Sequence, residues 1–264
     1  MESTSSEAPV LTRLADGVMT ITLNRPKQLN SFTKAMHAAL RAAIVEAAKP
    51  DVRVVVLTGS GRGFCAGQDL ADLDKDSLAD TPSSNVITQH YNPLVLGLRN
   101  LPKPVLAAVN GVAAGAGCNV ALACDIVIAT KSAVFLQAFV HIGLLPDSGG
   151  TYFLPRLVGT AQAMAQMMLG EKISAEEAAR LGMIYKCVDD EQFAATVQAT
   201  AARLAALPPK ALAAMKRSVY QGHSHLDAQL DLEAKLQAQL AASKDYAEGV
   251  AAFLEKRKAN FTGQ

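Results

Sequence analysis

The chain is predicted to be an α/β fold built around a mainly parallel sheet, with a helical C-terminal third. Three observations predict it. Strand-like and helix-like runs alternate through the first half, the arrangement that covers a parallel sheet with helices. One run, Val52 to Thr58, is rich in β-branched residues with no polar alternation, as suits a strand buried on both faces. From about Ala161 onward the β signal almost vanishes into Ala-rich stretches.

Taken in order, Gly17 to Leu23 is a β-rich run that stops at Asn24-Arg25-Pro26, where proline cannot continue the ladder. Ser31 to Ala48 carries Phe32, Met36, Leu40 and Ile44 at every fourth position, an amphipathic helix for which Ser31 or Thr33 can serve as cap. Val52 to Thr58 closes this β-α-β unit at Gly59. The pattern returns as a helix over Asn92 to Asn100, a strand over Pro104 to Val109, a helix from about Ala116 and a strand over Asp125 to Thr130. Asp72 to Gln89 is polar and contains Pro82-Ser83-Ser84, so it reads as a mobile surface segment over the site, able to act as a lid. Helices are then expected over Ala175 to Leu181, Glu191 to Leu207, Pro209 to Gln221 and Leu226 to Leu254. The basic residues that follow, Lys256-Arg257-Lys258, suit a helix C-terminus or a polyphosphate contact.

Composition narrows the function classes. With 264 residues, half of them hydrophobic, the chain can bury a sizeable core. A formal net charge of +1 gives no basic footprint for nucleic acid. The longest apolar stretch, Val105 to Ala129, is broken by Asn110, Asn119, Asp125 and several glycines, so no membrane span is expected. Met1 to Ala8 has no basic region followed by an apolar run, and Cys65, Cys118, Cys124 and Cys187 show no C-x-x-C pairing. Buried thiols in a cytoplasmic protein are the expectation. The five histidines form no ligand spacing with neighbouring acids, and His223-x-His225 reads as a turn, so no metal is expected.

The chemistry is concentrated in two glycine-rich stretches, Cys65-Ala66-Gly67-Gln68-Asp69-Leu70 and Gly115-Ala116-Gly117-Cys118-Asn119. Small residues let backbone approach a ligand, and two backbone N–H groups converging on one carbonyl oxygen make an oxyanion hole. The third stretch, Leu145-Pro146-Asp147-Ser148-Gly149-Gly150, is a turn carrying one acid, the candidate base. Alone, each glycine stretch could equally serve tight turns, and Asp147 could equally cap one.

Several of these segments together resemble one family. Asn24-Arg25-Pro26-Lys27-Gln28-Leu29-Asn30, Gly63-Phe64-Cys65-Ala66-Gly67-Gln68-Asp69-Leu70, Ala108-Val109-Asn110-Gly111, Ala123-Cys124-Asp125 and Phe253-Leu254-Glu255-Lys256-Arg257-Lys258 look like the crotonase, or enoyl-CoA hydratase/isomerase, superfamily. The resemblance runs from about Leu11 to Phe261. It implies a spiral of ββα units over residues 1–200, a helical oligomerisation region over 201–264, and a homotrimer or dimer of trimers. It further implies an acyl-CoA thioester substrate, no cofactor beyond the coenzyme A carried by that substrate, and oxyanion donors at the backbone N–H of Gln68 and Ala116. Lys27 and Leu29 would lie along the CoA arm, and Ala66, Asp69, Leu70, Asn119 and Phe139 would line the substrate site. For Asp69, as for Asp125, turn capping and support account for an acid at that position.

The resemblance also separates members of the family. Its hydratases carry two glutamates that position and activate water; here those positions read Asn119 and Phe139. An amide cannot deprotonate water and a phenyl ring cannot take a proton. Asp147 occupies the place of the base in several isomerases, and Val140 to Gly150 resembles the ring-1,2-epoxyphenylacetyl-CoA isomerases of phenylacetate breakdown. An apolar wall from Phe139, Leu144 and Leu145 would raise its pKa toward operating pH. Asn119 would either meet the ring oxygen or satisfy backbone. The expected activity is therefore an isomerase using Asp147, with an enoyl-CoA hydratase and a non-catalytic CoA- or RNA-binding protein as the other readings.

Overall fold

A computed structural model describes residues 8–73, 86–222 and 225–264. Its topology is a repeated ββα motif. The first unit is β1 (Val10–Ala15), β2 (Val18–Leu23) and α1 (Lys34–Ala47); the second is β3 (Val54–Gly59), β4 (Gly63–Cys65) and α2 (Asn92–Asn100). The third is β5 (Val105–Val109), β6 (Val112–Ala114) and α3 (Ala116–Leu122), and the fourth β7 (Ile126–Thr130), β8 (Val134–Leu136) and α4 (Gly150–Leu169). After these come β9 (Lys172–Ser174), α5 (Ala175–Arg180) and β10 (Lys186–Val188).

From the second unit onward, the two strands of a unit enter different sheets. One sheet has the order β1-β2-β3-β5-β7-β10, and the other β4-β6-β8-β9. Within the larger sheet only the β1–β2 pair is antiparallel, so the expected mainly parallel sheet is present. The chain winds forward one strand per sheet per turn, which is the spiral.

Alternating side chains of the central strands bury two cores. Val55, Leu57, Val105, Ala107, Val109 and Val127 face the main core with Phe32, Met36, Leu40, Phe64 and Leu94. Val54, Val56, Leu106, Ala108 and Ile128 face the other way, against Ala201 and Ala205 with Phe193 and Val197 beside them. Burial on both faces explains why Val52 to Thr58 lacks polar alternation.

The remaining helices are α6 (Asp190–Ala206), α7 (Pro209–Tyr220), α8 (Leu226–Ala241) and α9 (Lys244–Leu254). The stretch expected as one helix over Leu226 to Leu254 is two, because Ser243 leaves helical geometry and its side chain accepts from the Tyr246 N–H, capping α9. The β signal also does not end at Ala161: β9 and β10 are three-residue strands, too short for periodicity to register. Residue 201, where the helical region was expected to begin, falls inside α6. Most of the segment read as a lid, and His223, lie outside the described residues.

Candidate active site

The two glycine-rich stretches meet because the strands that deliver them are neighbours. β4 ends in the Ala66–Asp69 loop, β6 ends in α3, and the two strands pair in parallel with Cys65 opposite Ala113. The first loop is strapped to the segment before α1: Ala66 N–H donates to the Leu29 carbonyl at 2.9 Å, Phe32 N–H to Gly67 at 2.7 Å, and Asp69 N–H to Phe32 at 2.9 Å. That ladder uses Gly67 and Asp69 and leaves the Gln68 N–H between them out of its pattern. Gly67 has φ +91°, and a methyl group there would lie 2.9 Å from the Ala114 carbonyl oxygen and 3.5 Å from the Ala116 nitrogen. Only glycine permits both the conformation and the approach. Gly67, the residue before Gln68, thus packs directly on the Ala114–Ala116 backbone, and the Ala116 N–H, in the first turn of α3, has no acceptor within its own helix. An oxyanion hole needs two backbone N–H donors on one oxygen, and these two loops are the candidates to supply them.

The candidate base is fastened to the same short helix. Asn119, one turn along α3, donates from Nδ2 to the Asp147 carbonyl at 2.8 Å, and Gln137 Nε2 donates to Asn119 Oδ1 at 2.8 Å. The Gly150 N–H also donates to the Asp147 carbonyl, at 2.8 Å, as the chain turns into α4. Backbone capture from two directions fixes where the Asp147 carboxyl starts, while its side chain accepts from Ser148 Oγ at 2.8 Å. Burial pushes the Asp147 carboxyl up to about 6, partly opposed by the Ser148 bond. A carboxylate in that range is mostly ionised at neutral pH and still basic enough to take a proton from carbon.

The other expected residues are placed as follows. Phe139 is buried, with its ring edge 3.9 Å from where a methyl on Gly115 would lie, beside the head of α3. Leu144 and Leu145 do not build the expected wall within the single chain; they are 39% and 74% exposed. Asn119 is fully buried, with Nδ2 donating to the Asp147 carbonyl and Oδ1 accepting from Gln137, which is the backbone-satisfying arrangement of the two expected. Asp69 caps the turn Leu70–Asp72 and pairs with Arg25 at 2.9 Å, which is the supporting part. Asp125 likewise supports, accepting from the Val105 N–H, Lys216 and Tyr220.

Lys27 and Leu70 are exposed, and half-buried Leu29 packs against Gly63. In the basic tail Arg257 folds back on Glu248 and Glu255. Cys65, Cys118 and Cys124 are buried thiols, with burial raising each to about 12. Among the described residues no group of three His, Cys, Asp or Glu side chains could hold a metal, and no helix is long and apolar enough to cross a membrane.

Comparison with known proteins gives the family. A model described as enoyl-CoA hydratase/isomerase matches residues 13–264. The chain is 49% identical over 258 residues to the 1,2-epoxyphenylacetyl-CoA isomerase of Escherichia coli, covering 97% of this chain and 98% of that one. It is 50% identical over 252 residues to a "Probable enoyl-CoA hydratase" of Rhodobacter capsulatus, covering 95% and 96%. The crystal structure of an enoyl-CoA hydratase from Bacillus anthracis superposes with a TM-score of 0.90 at 31% identity, over 97% of this chain and 100% of that one. With the paired loops, the ββα spiral and a full-length match, this chain belongs to the enoyl-CoA hydratase/isomerase family and is an enzyme of CoA thioesters.

Proposed function

We propose that this enzyme is an isomerase that converts ring-1,2-epoxyphenylacetyl-CoA to oxepin-CoA and shifts double bonds in unsaturated CoA thioesters. The observation that carries the proposal is a single tethered carboxylate: Asp147 is held by Asn119 and poised near pH 6, while Asn119 and Phe139 stand where the family's hydratases carry glutamates. In double-bond migration Asp147 takes the proton from the carbon between the alkene and the thioester. The electron pair moves onto the thioester oxygen, where the Gln68 and Ala116 N–H groups hold the dienolate. Asp147 then returns the proton to the far alkene carbon. One such donor contributes about 2.7–4 kcal/mol to the transition state.

No water activation enters this cycle, so no second acid is needed. For the epoxide, the same clamp holds the thioester while Asp147 assists opening and ring expansion. We further propose that the reaction needs no cofactor beyond the substrate's coenzyme A, that the enzyme is cytoplasmic, and that it works as a homotrimer or dimer of trimers. Exposed Phe253 and Leu254, with Tyr246 and Val250 on the same helix, supply an apolar face for that assembly.

The relative from Rhodobacter capsulatus favours a second reading, enoyl-CoA hydratase. The two separate in one experiment with chemically prepared epoxide. Wild type is expected to form oxepin-CoA and Asp147→Asn to lose that activity. An enzyme that leaves the epoxide untouched while adding water to crotonyl-CoA would support the hydratase reading instead.

A further inference from the structure

The side chain of Gln68 is entirely engaged. Its Nε2 donates to the Phe32 carbonyl at 3.1 Å and to the Asp69 carbonyl at 3.0 Å, and its Oε1 accepts from the Tyr91 hydroxyl at 2.7 Å. All three partners are protein, so this amide is a brace on the loop that carries the proposed oxyanion donor. Tyr91 is 1% exposed and so does not reach substrate itself. Its ring is gripped edge-on by Phe32 at 5.6 Å and by His37 at 4.5 Å between centroids. It closes a π-helical turn, Ile87–Tyr91, a local widening of the backbone that is common at functional sites. Burial above all, with Cys65 and Asp147 adding to it, opposes ionisation of the phenol and keeps it a hydrogen-bond donor.

We infer that Tyr91 is a positioning residue for the oxyanion hole: its hydroxyl locks the Gln68 amide, and through it the Gln68 backbone N–H, in line with the thioester carbonyl. This rests on the oxyanion-hole reading above. A brace of this kind acts on the transition state rather than on the CoA arm, because the polarised oxygen is stabilised only when the donor is aligned. Removing the hydroxyl also leaves the Gln68 Oε1 without its donor, so the loop relaxes toward another partner.

The test is Tyr91→Phe, with infrared spectra of a bound saturated acyl-CoA carrying a 13C thioester carbonyl and steady-state double-bond migration measured on the same proteins. Wild type should shift the carbonyl stretch to lower frequency. Tyr91→Phe should lose most of that shift and about tenfold in kcat, equivalent to about 1.4 kcal/mol, with KM unchanged within twofold. Gln68→Leu is expected to lose kcat similarly, and the double variant no more than the worse single, since both changes break one connection. A Tyr91→Phe enzyme with the wild-type carbonyl shift and kcat overturns the inference. So does additivity in the double variant. If wild type itself shows no shift, the oxyanion-hole reading fails and the inference with it; the Asp147 experiment fails or succeeds independently of that spectrum.

Discussion

Asp147 has two consequences that pull in opposite directions. As a base it must be ionised, so migration should rise with pH through about 6 and level off above it. As a buried acid it binds its proton more tightly in the fold than in the unfolded chain, where the value is about 3.8. Its contribution to stability is therefore fullest below 3.8 and is lost as pH rises through about 6. Asp147→Asn should accordingly unfold at higher urea concentration than wild type at about pH 7.5, by up to about 3 kcal/mol, with the gain shrinking toward pH 4. A variant less stable than wild type at both would show that the charge is not what burial penalises. Asp147 was legible in the sequence because an acid inside a Pro- and Gly-bounded turn sits in a family motif. Ser148 and Gln137, which tune and anchor it, were not, since a hydroxyl and an amide carry no signal until the fold supplies their partners. Nothing in the sequence links Tyr91 to Gln68, because a segment of no clear pattern separates them.

At the scale of elements, α1 shows what periodicity finds and what it misses. Phe32, Met36, Leu40 and Ile44 mark its apolar face, and Thr33 caps it by accepting from the Met36 N–H. His37 lies on that buried face too, stacked between Phe32 at 5.0 Å and His90 at 5.2 Å, with neither ring nitrogen hydrogen-bonded among the described residues. Burial, reinforced by His90 and Arg41, drives its pKa down from 6.5 to about 3. Its depressed value means that stability is present above 6.5 and is lost as pH falls toward 3, at about 1.4 kcal/mol per pH unit. His37→Phe should flatten that acid limb relative to wild type in urea unfolding between about pH 6.5 and pH 4.5. Parallel acid limbs would contradict it. Because Asp147 gains stability as pH falls over part of the same range, the comparison must be variant against wild type. Most strands and helices were readable from apolar runs or periods, but the twenty-residue α4 was not, because Pro155 and the non-helical Gly159 interrupt its pattern. β1 was missed although Asp16-Gly17, both at positive φ, is a strong hairpin signal between β-rich runs. The three-residue strands β4, β6 and β8, which aim the catalytic loops, are too short to have a period at all.

Across the whole molecule, the C-terminal helices are tied to the spiral by buried polar contacts. Lys216 on α7 pairs with Asp125 at 2.9 Å, with side chains 7% and 15% exposed, and also donates to the Leu98 and Lys103 carbonyls. Tyr220 donates to the other Asp125 oxygen, and Arg99 lies between the Tyr220 and Phe153 rings. Arg53 reaches the carbonyls of Leu207 and Phe261, holding the tail. Lys216→Met should therefore cost about 3 kcal/mol in urea unfolding, since it leaves Asp125 buried without its cation. A loss under about 1 kcal/mol would place α7 outside the cooperative fold. The sequence shows the acid of Ala123-Cys124-Asp125 and the helix carrying Lys216 but gives no sign that they meet. The central claim is that one tethered carboxylate moves protons on carbon without activating water. It is tested most directly by following double-bond migration in a 3-enoyl-CoA and hydration of crotonyl-CoA side by side, for wild type and Asp147→Asn. Migration that collapses in the variant, with negligible hydration in both, is the predicted result; vigorous hydration by wild type, or migration indifferent to Asp147, would contradict it.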